Sequence, residues 1–237
     1  ARTPLSGLIA ALFTLVVVVF ASGLLRNLPQ PVLAAIVLAA VMSLFDVAAL
    51  KHIWHFSRTE FFVSIAALLG VLGSGPVNGV LLGAAISIVL LLRQAARPRV
   101  TELTRFPGTT LFADRSRHPD HPVTPGVLVV RCESALLYFN VEYVRERLFD
   151  ILGARGEPIR LVVLALGTVP TVDLAGAELV ADLLKTFRAR SIEFRVADAR
   201  GEVRDALGRI GFERKHGPLE SRHTVDAVVT AWQAGVR

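Results

Sequence analysis

Cysteine is almost missing from this chain. Cys132 stands alone, so no intramolecular disulfide is available, and its place in an apolar run suits a small buried hydrophobe. Charge is nearly missing from the first hundred residues, which carry seven Lys/Arg and two Asp/Glu, whereas residues 101–237 carry nineteen and eighteen. The basic surplus behind the net charge of +6 therefore surrounds the apolar half, where membrane topology explains it better than nucleic acid does. No RNA- or DNA-binding motif contests that reading, and none points to a nucleic-acid partner. A P-loop, a GxGxxG turn, a nucleophile elbow and a His/Cys/carboxylate cluster are all absent from the sequence, which argues against an enzyme and calls for no metal and no cofactor.

What the chain has instead is apolar length: 53% of its residues are hydrophobic and its mean hydropathy is +0.54, too high for an ordinary soluble domain. Between Arg2 and Arg26 lie 23 uncharged residues. As a helix rising 1.5 Å per residue, that length crosses a hydrocarbon core of roughly 30 Å. Arg2, the apolar run and Ala21-Ser22-Gly23 also imitate a signal peptide, but further apolar segments follow at once. Leu28-Pro29-Gln30-Pro31 reads as a turn, since proline is tolerated only in a helix's first turn. A second span over 31–50 then carries Asp46 near its end, either as a transport or proton-coupling group or as an ordinary residue at a water-exposed helix end. Lys51, His52, Trp54, His55 and Arg58 read as a short polar connection at headgroup depth; His52 and His55 lack a third metal ligand nearby.

Phe61 to Leu92 is 32 residues without a formal charge, too long for one span and interrupted by Gly70, Gly73, Gly75 and Pro76. Two spans, 60–73 and 76–92, fit it, so residues 1–97 read as a transmembrane region with spans 4–25, 31–50, 60–73 and 76–92. Gly75, Gly79, Gly83 and Ser87 recur every fourth residue and offer a face for close helix packing. Arg93, Arg97 and Arg99 then mark the cytoplasmic side, which counts back to a cytoplasmic 51–58 connection, an external 26–30 turn and an internal Arg2.

Residues 98–125 have a linker composition, with Pro107, Pro119, Pro122 and Pro125 among charged residues and with His118 and His121 read as solvated. From 126 to 237 strands and helices alternate: strands at 127–131, 135–139 and 161–166, helices at 141–153 and 174–189, and a strand through Ile192, Phe194 and Val196. A short helix over 202–210 and a last helix after Thr224 complete an α/β layer with a mostly parallel sheet flanked by helices. In the stretch Leu161 to Phe187, an apolar strand, a Gly/Pro/Thr loop and a helix capped by Asp173 follow one another.

Three pieces of this half, VLVVRCESALLYFNVEYVRERL (Val127–Leu148), VPTVDLAG (Val169–Gly176) and EVRDALGRIGF (Glu202–Phe212), resemble the STAS domain of anti-sigma-factor antagonists and of SulP-type anion transporter tails. ARTPLSGLIAALFTL at the start, LPQPVLAAIVLAAVMSLFD (Leu28–Asp46), GPVNGVLLGAAISIVLLLRQAARPRV (Gly75–Val100) and FPGTTLFADRSRHPD (Phe106–Asp120) resemble the last part of SulP transporters. The resemblance implies a multi-domain chain: the last four membrane segments of a secondary active inorganic-anion transporter of the sulfate or bicarbonate class, then a STAS domain over 126–237. It further implies a multi-pass protein of the plasma membrane, embedded in the lipid bilayer as a homodimer, with the STAS domain cytoplasmic. The anion site of such transporters, where two half-helices point their N-termini at the substrate, would lie upstream of Ala1, so the chain reads as a fragment.

In the antagonist branch the loop before the central helix carries Asp-Ser-Ser/Thr-Gly, with a serine that a kinase phosphorylates. Here it is Asp173-Leu174-Ala175-Gly176, and leucine has no hydroxyl. Thr171 or Thr168 could take that role but suit turn and packing roles better, so Thr171, Asp173, Leu174 and Gly176 form the candidate regulatory loop. Asp173 itself would oppose a bound phosphate at the helix start. The alternative is a transport-inactive, membrane-tethered STAS module that binds a cytoplasmic regulator, against which Leu174 counts. A third reading is a purely structural dimerisation element, with a symmetric contact along the Gly75/Gly79/Gly83 face or between STAS domains.

Overall fold

The computed structural model describes residues 4–25, 29–42, 46–212 and 224–235 and divides into two compact units, Ala1–Ala84 and Ala85–Arg237. Five helices begin the chain: α1 (Pro4–Leu25), α2 (Gln30–Met42), α3 (Val47–Phe56), α4 (Arg58–Ser74) and α5 (Pro76–Ala96), the last running past the division. Helix α1 has 22 residues without a charge, and its large side chains from Leu8 to Phe20 are exposed. Helix α5, 21 residues long, is apolar and long enough to cross a membrane. Arg2, Arg26 and Leu28 lie outside the described residues, as do residues 43–45 within the expected second span.

Local chemistry sets where these helices stop. Asp46 caps α3, its Oδ1 accepting the Ala49 N–H at 2.9 Å, so it stands at the start of a helix and not near the end of one running over 31–50. The expected polar connection at 51–58 is instead helical up to Phe56, because Ser57 alone serves both ends: its N–H closes α3 on Ile53 O and its hydroxyl caps α4. Around that corner Trp54 meets Phe61 edge to face at 4.8 Å, and the Arg58 guanidinium lies 5.5 Å from the Trp54 ring centre. Helix α4 ends at Gly75, which adopts φ +92°, a backbone conformation glycine reaches without steric cost, and Pro76 opens α5.

The second unit is built on a five-stranded sheet ordered β2-β1-β3-β4-β5, with β1 (Val100–Arg105), β2 (Phe112–Asp114), β3 (Val127–Cys132), β4 (Leu161–Ala165) and β5 (Glu193–Ala197). Strands β3, β4 and β5 are parallel, while β1 runs antiparallel to both β2 and β3. Helices α6 (Val141–Gly153), α7 (Leu174–Ala189) and α8 (Gly201–Arg209) cover one face, and α9 (Val225–Gly235) covers the other. Alternation divides each strand: Leu128, Val130, Val162 and Leu164 pack with Val144, Leu148, Val180, Leu183 and Phe187, whereas Val127, Val129, Leu161 and Val163 face Val225 and Val229. All five β4 residues are therefore buried, as expected of a central parallel strand covered on both sides.

Two expectations change here. The 98–125 stretch, read as linker, supplies β1 and β2, so the sheet begins at Val100. Ala135–Phe139, read as a strand, makes only a single parallel bridge, Leu136 to Val172. Asn140 folds that segment into a loop instead: its Oδ1 accepts the Leu137 N–H at 3.0 Å and its Nδ2 donates to Ala135 O at 2.9 Å and Ala95 O at 3.1 Å.

Candidate functional site

The β4–α7 loop lies at the carboxyl end of the parallel strands, and Asp173 ties it to the loop after β3. One carboxylate oxygen, Oδ1, accepts the Gly176 N–H at 2.8 Å as the cap of α7. The other, Oδ2, accepts the Tyr138 N–H at 2.8 Å. The backbones add to this: Asp173 N–H donates to Leu136 O at 3.1 Å and Leu136 N–H donates to Thr171 O at 3.2 Å. Gly176 makes that approach possible, because a Cβ there would lie 2.4 Å from Leu136 O.

The structure thus gathers Thr171, Asp173 and Gly176 around Leu136, while Leu174 points outward, 66% exposed, and Tyr138 is 75% exposed. Leu136 and Tyr138 escaped the sequence reading; Tyr138 is 35 residues from its carboxylate partner, and no local pattern announces such a bond. Thr168 is held elsewhere, its hydroxyl donating to Cys132 O at 2.7 Å. Both Asp173 oxygens already accept backbone N–H groups, so the loop resembles a locked hinge more than a vacant anion site.

Neighbouring groups give no acid and base pair. Burial pushes the Cys132 thiol up to about 11, with Glu133 adding to it and a backbone hydrogen bond at Ser134 opposing it, so it stays protonated at neutral pH. Burial also raises the Asp198 carboxyl, opposed by the Val225 N–H. Asp198 ends β5 at φ +56° and shares a cleft of about 560 Å³ with Arg131, Thr168 and Asp226. Among the described residues no three His, Cys, Asp or Glu side chains converge as a metal set. His118 and His121 stack on one another, ring centres 4.7 Å apart, beside Phe106.

The glycine face of α5 is a separate matter. A Cβ on Gly79 would sit 2.3 Å from Val71 N, and one on Gly83 would sit 2.9 Å from the Ala67 Cβ, so α4 and α5 approach through these two positions. Gly75 does not share that face: it is the turn residue outside α5, with nothing within 4 Å of a built Cβ.

Residues 1–67 match the sulfate permease family and residues 118–228 match the STAS domain. Sulfate transporter 1.1 of Arabidopsis thaliana is 29% identical over 205 residues, covering 83% of this chain and 32% of the relative. Low affinity sulfate transporter 3 of Stylosanthes hamata is 30% identical over 240 residues, covering 97% of this chain and 37% of the relative. The chain therefore spans about a third of the length of the curated relatives it matches. The same fold occurs in murine Solute Carrier 26 family member A9, described as an anion transporter in the inward-facing state, with TM-score 0.65 and 22% identity over 77% of this chain and 30% of that one. Helices come first and the sheet domain after them, in the order both matches require, so the chain is similar to the sulfate permease family in its first part and to the STAS domain in its sheet.

Proposed function

We propose that the chain is the carboxy-terminal portion of a secondary active transporter of inorganic anions of the sulfate class, with the STAS domain as its regulatory and assembly part. The observation that carries this reading is the order and reach of the similarity: sulfate permease first, STAS second, within relatives named sulfate transporters that align over most of this chain. The transporter is multi-pass, lies in the plasma membrane and works as a homodimer. Arg93, Arg97 and Arg99, directly after or within the last turn of α5, support a cytoplasmic STAS domain, since basic residues flank spans on the inner side. In this reading α4 and α5 belong to the part of the membrane domain that frames the anion path, and the half-helices that hold the anion are contributed by sequence before Ala1. In this reading residues 1–97 form the membrane part and the sheet domain follows it, with the β1–β2 hairpin of the 98–125 stretch built into the sheet.

The test is uptake of labelled sulfate by proteoliposomes reconstituted with the protein at its native length. Saturable uptake that other oxyanions compete with is the expected result. Uptake no faster than in empty vesicles, for sulfate and for bicarbonate, would overturn the reading.

A further inference from the structure

A second concave site lies between the β1–β2 hairpin and the end of α6. It is a cleft of about 550 Å³ whose charged lining is Arg99, Arg115, Arg147, Arg155 and a single carboxylate, Glu102. Four guanidiniums against one carboxylate make its charge one-sided. The carboxylates that hold two of these arginines in place, Asp114 for Arg99 and Asp150 for Arg147, do not line it.

Arg99, Arg115 and Arg147 are each paired with one carboxylate. Arg115 Nη1 donates to Glu102 Oε2 at 2.8 Å, Arg147 Nη1 to Asp150 Oδ2 at 3.0 Å, and Arg99 Nη2 to Asp114 and to Ser116 Oγ, the latter at 3.3 Å. A guanidinium has about five N–H donors, so each keeps several free, and the side chains of Arg99, Arg115 and Arg147 are all more than one-third exposed. Arg155 is different: its side chain is 6% exposed, Nη2 donates to Val127 O at 2.8 Å, and it pairs with two carboxylates, Nε lying 3.4 Å from Glu102 Oε1 and Nη2 3.4 Å from Glu157 Oε1. Arg155 thus anchors the floor of the cleft, and the half-exposed Arg99, Arg115 and Arg147 carry the donors left for a ligand.

The cleft also stands close to where a membrane would end. Arg99 follows the last residue of α5 by three positions, so at most about 10 Å of extended chain separates it from the end of that helix. This step rests on the membrane reading of α5 given above. Arg93 and Arg97 lie on the same stretch and add positive charge there.

We propose that this cleft binds a multiply charged phosphate group, carried by the headgroup of an anionic phospholipid or free in solution. Planar guanidinium forks match phosphate oxygens two at a time, and several of them around one concavity favour a group with more than one negative charge. The STAS domain would then report on the lipid or phosphate at the inner surface through a site distinct from the α7 loop.

The full chain, held in phosphatidylcholine nanodiscs, is titrated by calorimetry with inorganic tripolyphosphate and, separately, with a water-soluble short-chain phosphatidylinositol bisphosphate. Saturable binding of one equivalent is expected, with the tighter of the two probes naming the source of the phosphate. Arg147→Gln removes an arginine whose only ion pair among the described residues is an exposed one to its own helix, so the fold is expected to survive; loss of binding of roughly tenfold in that variant, and more in Arg115→Gln/Arg147→Gln, is the expected result. No saturable binding of either probe, or an affinity unchanged in Arg147→Gln, would overturn the proposal. Neither measurement involves uptake, so a failure here leaves the transport reading standing, and a failure of uptake leaves phosphate binding to be judged by these titrations.

Discussion

Strand β4 and helix α1 are made of much the same residues, Leu, Val and Ala, and place them oppositely. In β4 every side chain is buried between helices on both faces; in α1 residues 7–20 are exposed, Phe20 at 79%. Where protein is the solvent for apolar groups, large side chains interlock and the period of two decides which layer each one enters. Where lipid is the solvent, apolar surface gains little from leaving it, and helices meet where side chains are missing, as Gly79 and Gly83 do against Val71 and Ala67. Contact between α4 and α5 comes from omission, and around β4 from filling.

That contrast is most exposed to test at Phe187. It is fully buried on α7, stacked against Phe194 and tilted against Phe149, both with ring centres 5.5 Å away. Phe187→Ala should cost about 4 kcal/mol of unfolding free energy, whereas Phe20→Ala in α1 should cost close to nothing. Thermal unfolding of the detergent-solubilised chain, followed by near-ultraviolet circular dichroism, separates the two; equal losses would end the comparison. A smaller loss, about 3 kcal/mol, is expected for Gly176→Ala, because the added Cβ meets the Leu136 carbonyl at 2.4 Å and backbone must move. An unchanged midpoint for that variant would mean that the β4–α7 loop has slack the packing does not suggest.

Charge offers a third test within the sheet unit. Burial by itself would raise the Asp114 carboxyl, but hydrogen bonds from the Thr101 and Ser116 hydroxyls and the Ser116 N–H, with the Arg99 guanidinium, outweigh it and hold the group at about 2. An unfolded carboxyl titrates near 3.8, so this group's contribution is complete above that pH and is lost as pH falls through about 2. Asp114→Asn should therefore lower stability at neutral pH by about 2 kcal/mol and flatten the acid limb of the stability curve between pH 4 and 2. Acid titrations of the two proteins with parallel limbs would show that Asp114 does not anchor the β1–β2 hairpin.

How much of this was legible in the residues depends on whether an element announces itself locally. The β4–α7 unit did: LVVLA is continuous, Asp173 is a capping residue, and Leu179, Val180, Leu183 and Phe187 recur at helical spacing. Helix α6 was equally plain. Strand β1 was not, because VTELTR shows only two aliphatic side chains, and its buried Thr101 is satisfied by Asp114 thirteen residues on. Its neighbour Glu102 pairs with Arg115 across the hairpin, another match that proline-rich composition hides. Ala135–Phe139 misled in the other direction, since ALLYF has a strand's composition and only the hydrogen bonds of Asn140 reveal the loop. In the candidate site the Asp173 cap was visible, but the reason for Gly176 was not: it depends on Leu136, forty residues away in sequence. The sulfate permease half was legible as length without charge, and its Gly75 was misassigned because a four-residue spacing takes no account of where a helix stops.

The smallest effect expected is at Leu174, the first residue of the same helix that carries Phe187. Its side chain is 66% exposed, and the cap beside it runs from Asp173 Oδ1 to the Gly176 N–H without involving it. Leu174→Ser should accordingly change unfolding free energy by less than about 0.5 kcal/mol, as surface substitutions away from caps and cores do. The two ends of α7 then differ because one is buried by the sheet and the other ends in the open, although both are large and apolar. If Leu174→Ser lowers the midpoint as far as Phe187→Ala does, Leu174 is covered in the assembled protein, and the exposed end of α7 together with Tyr138 belongs to an interface.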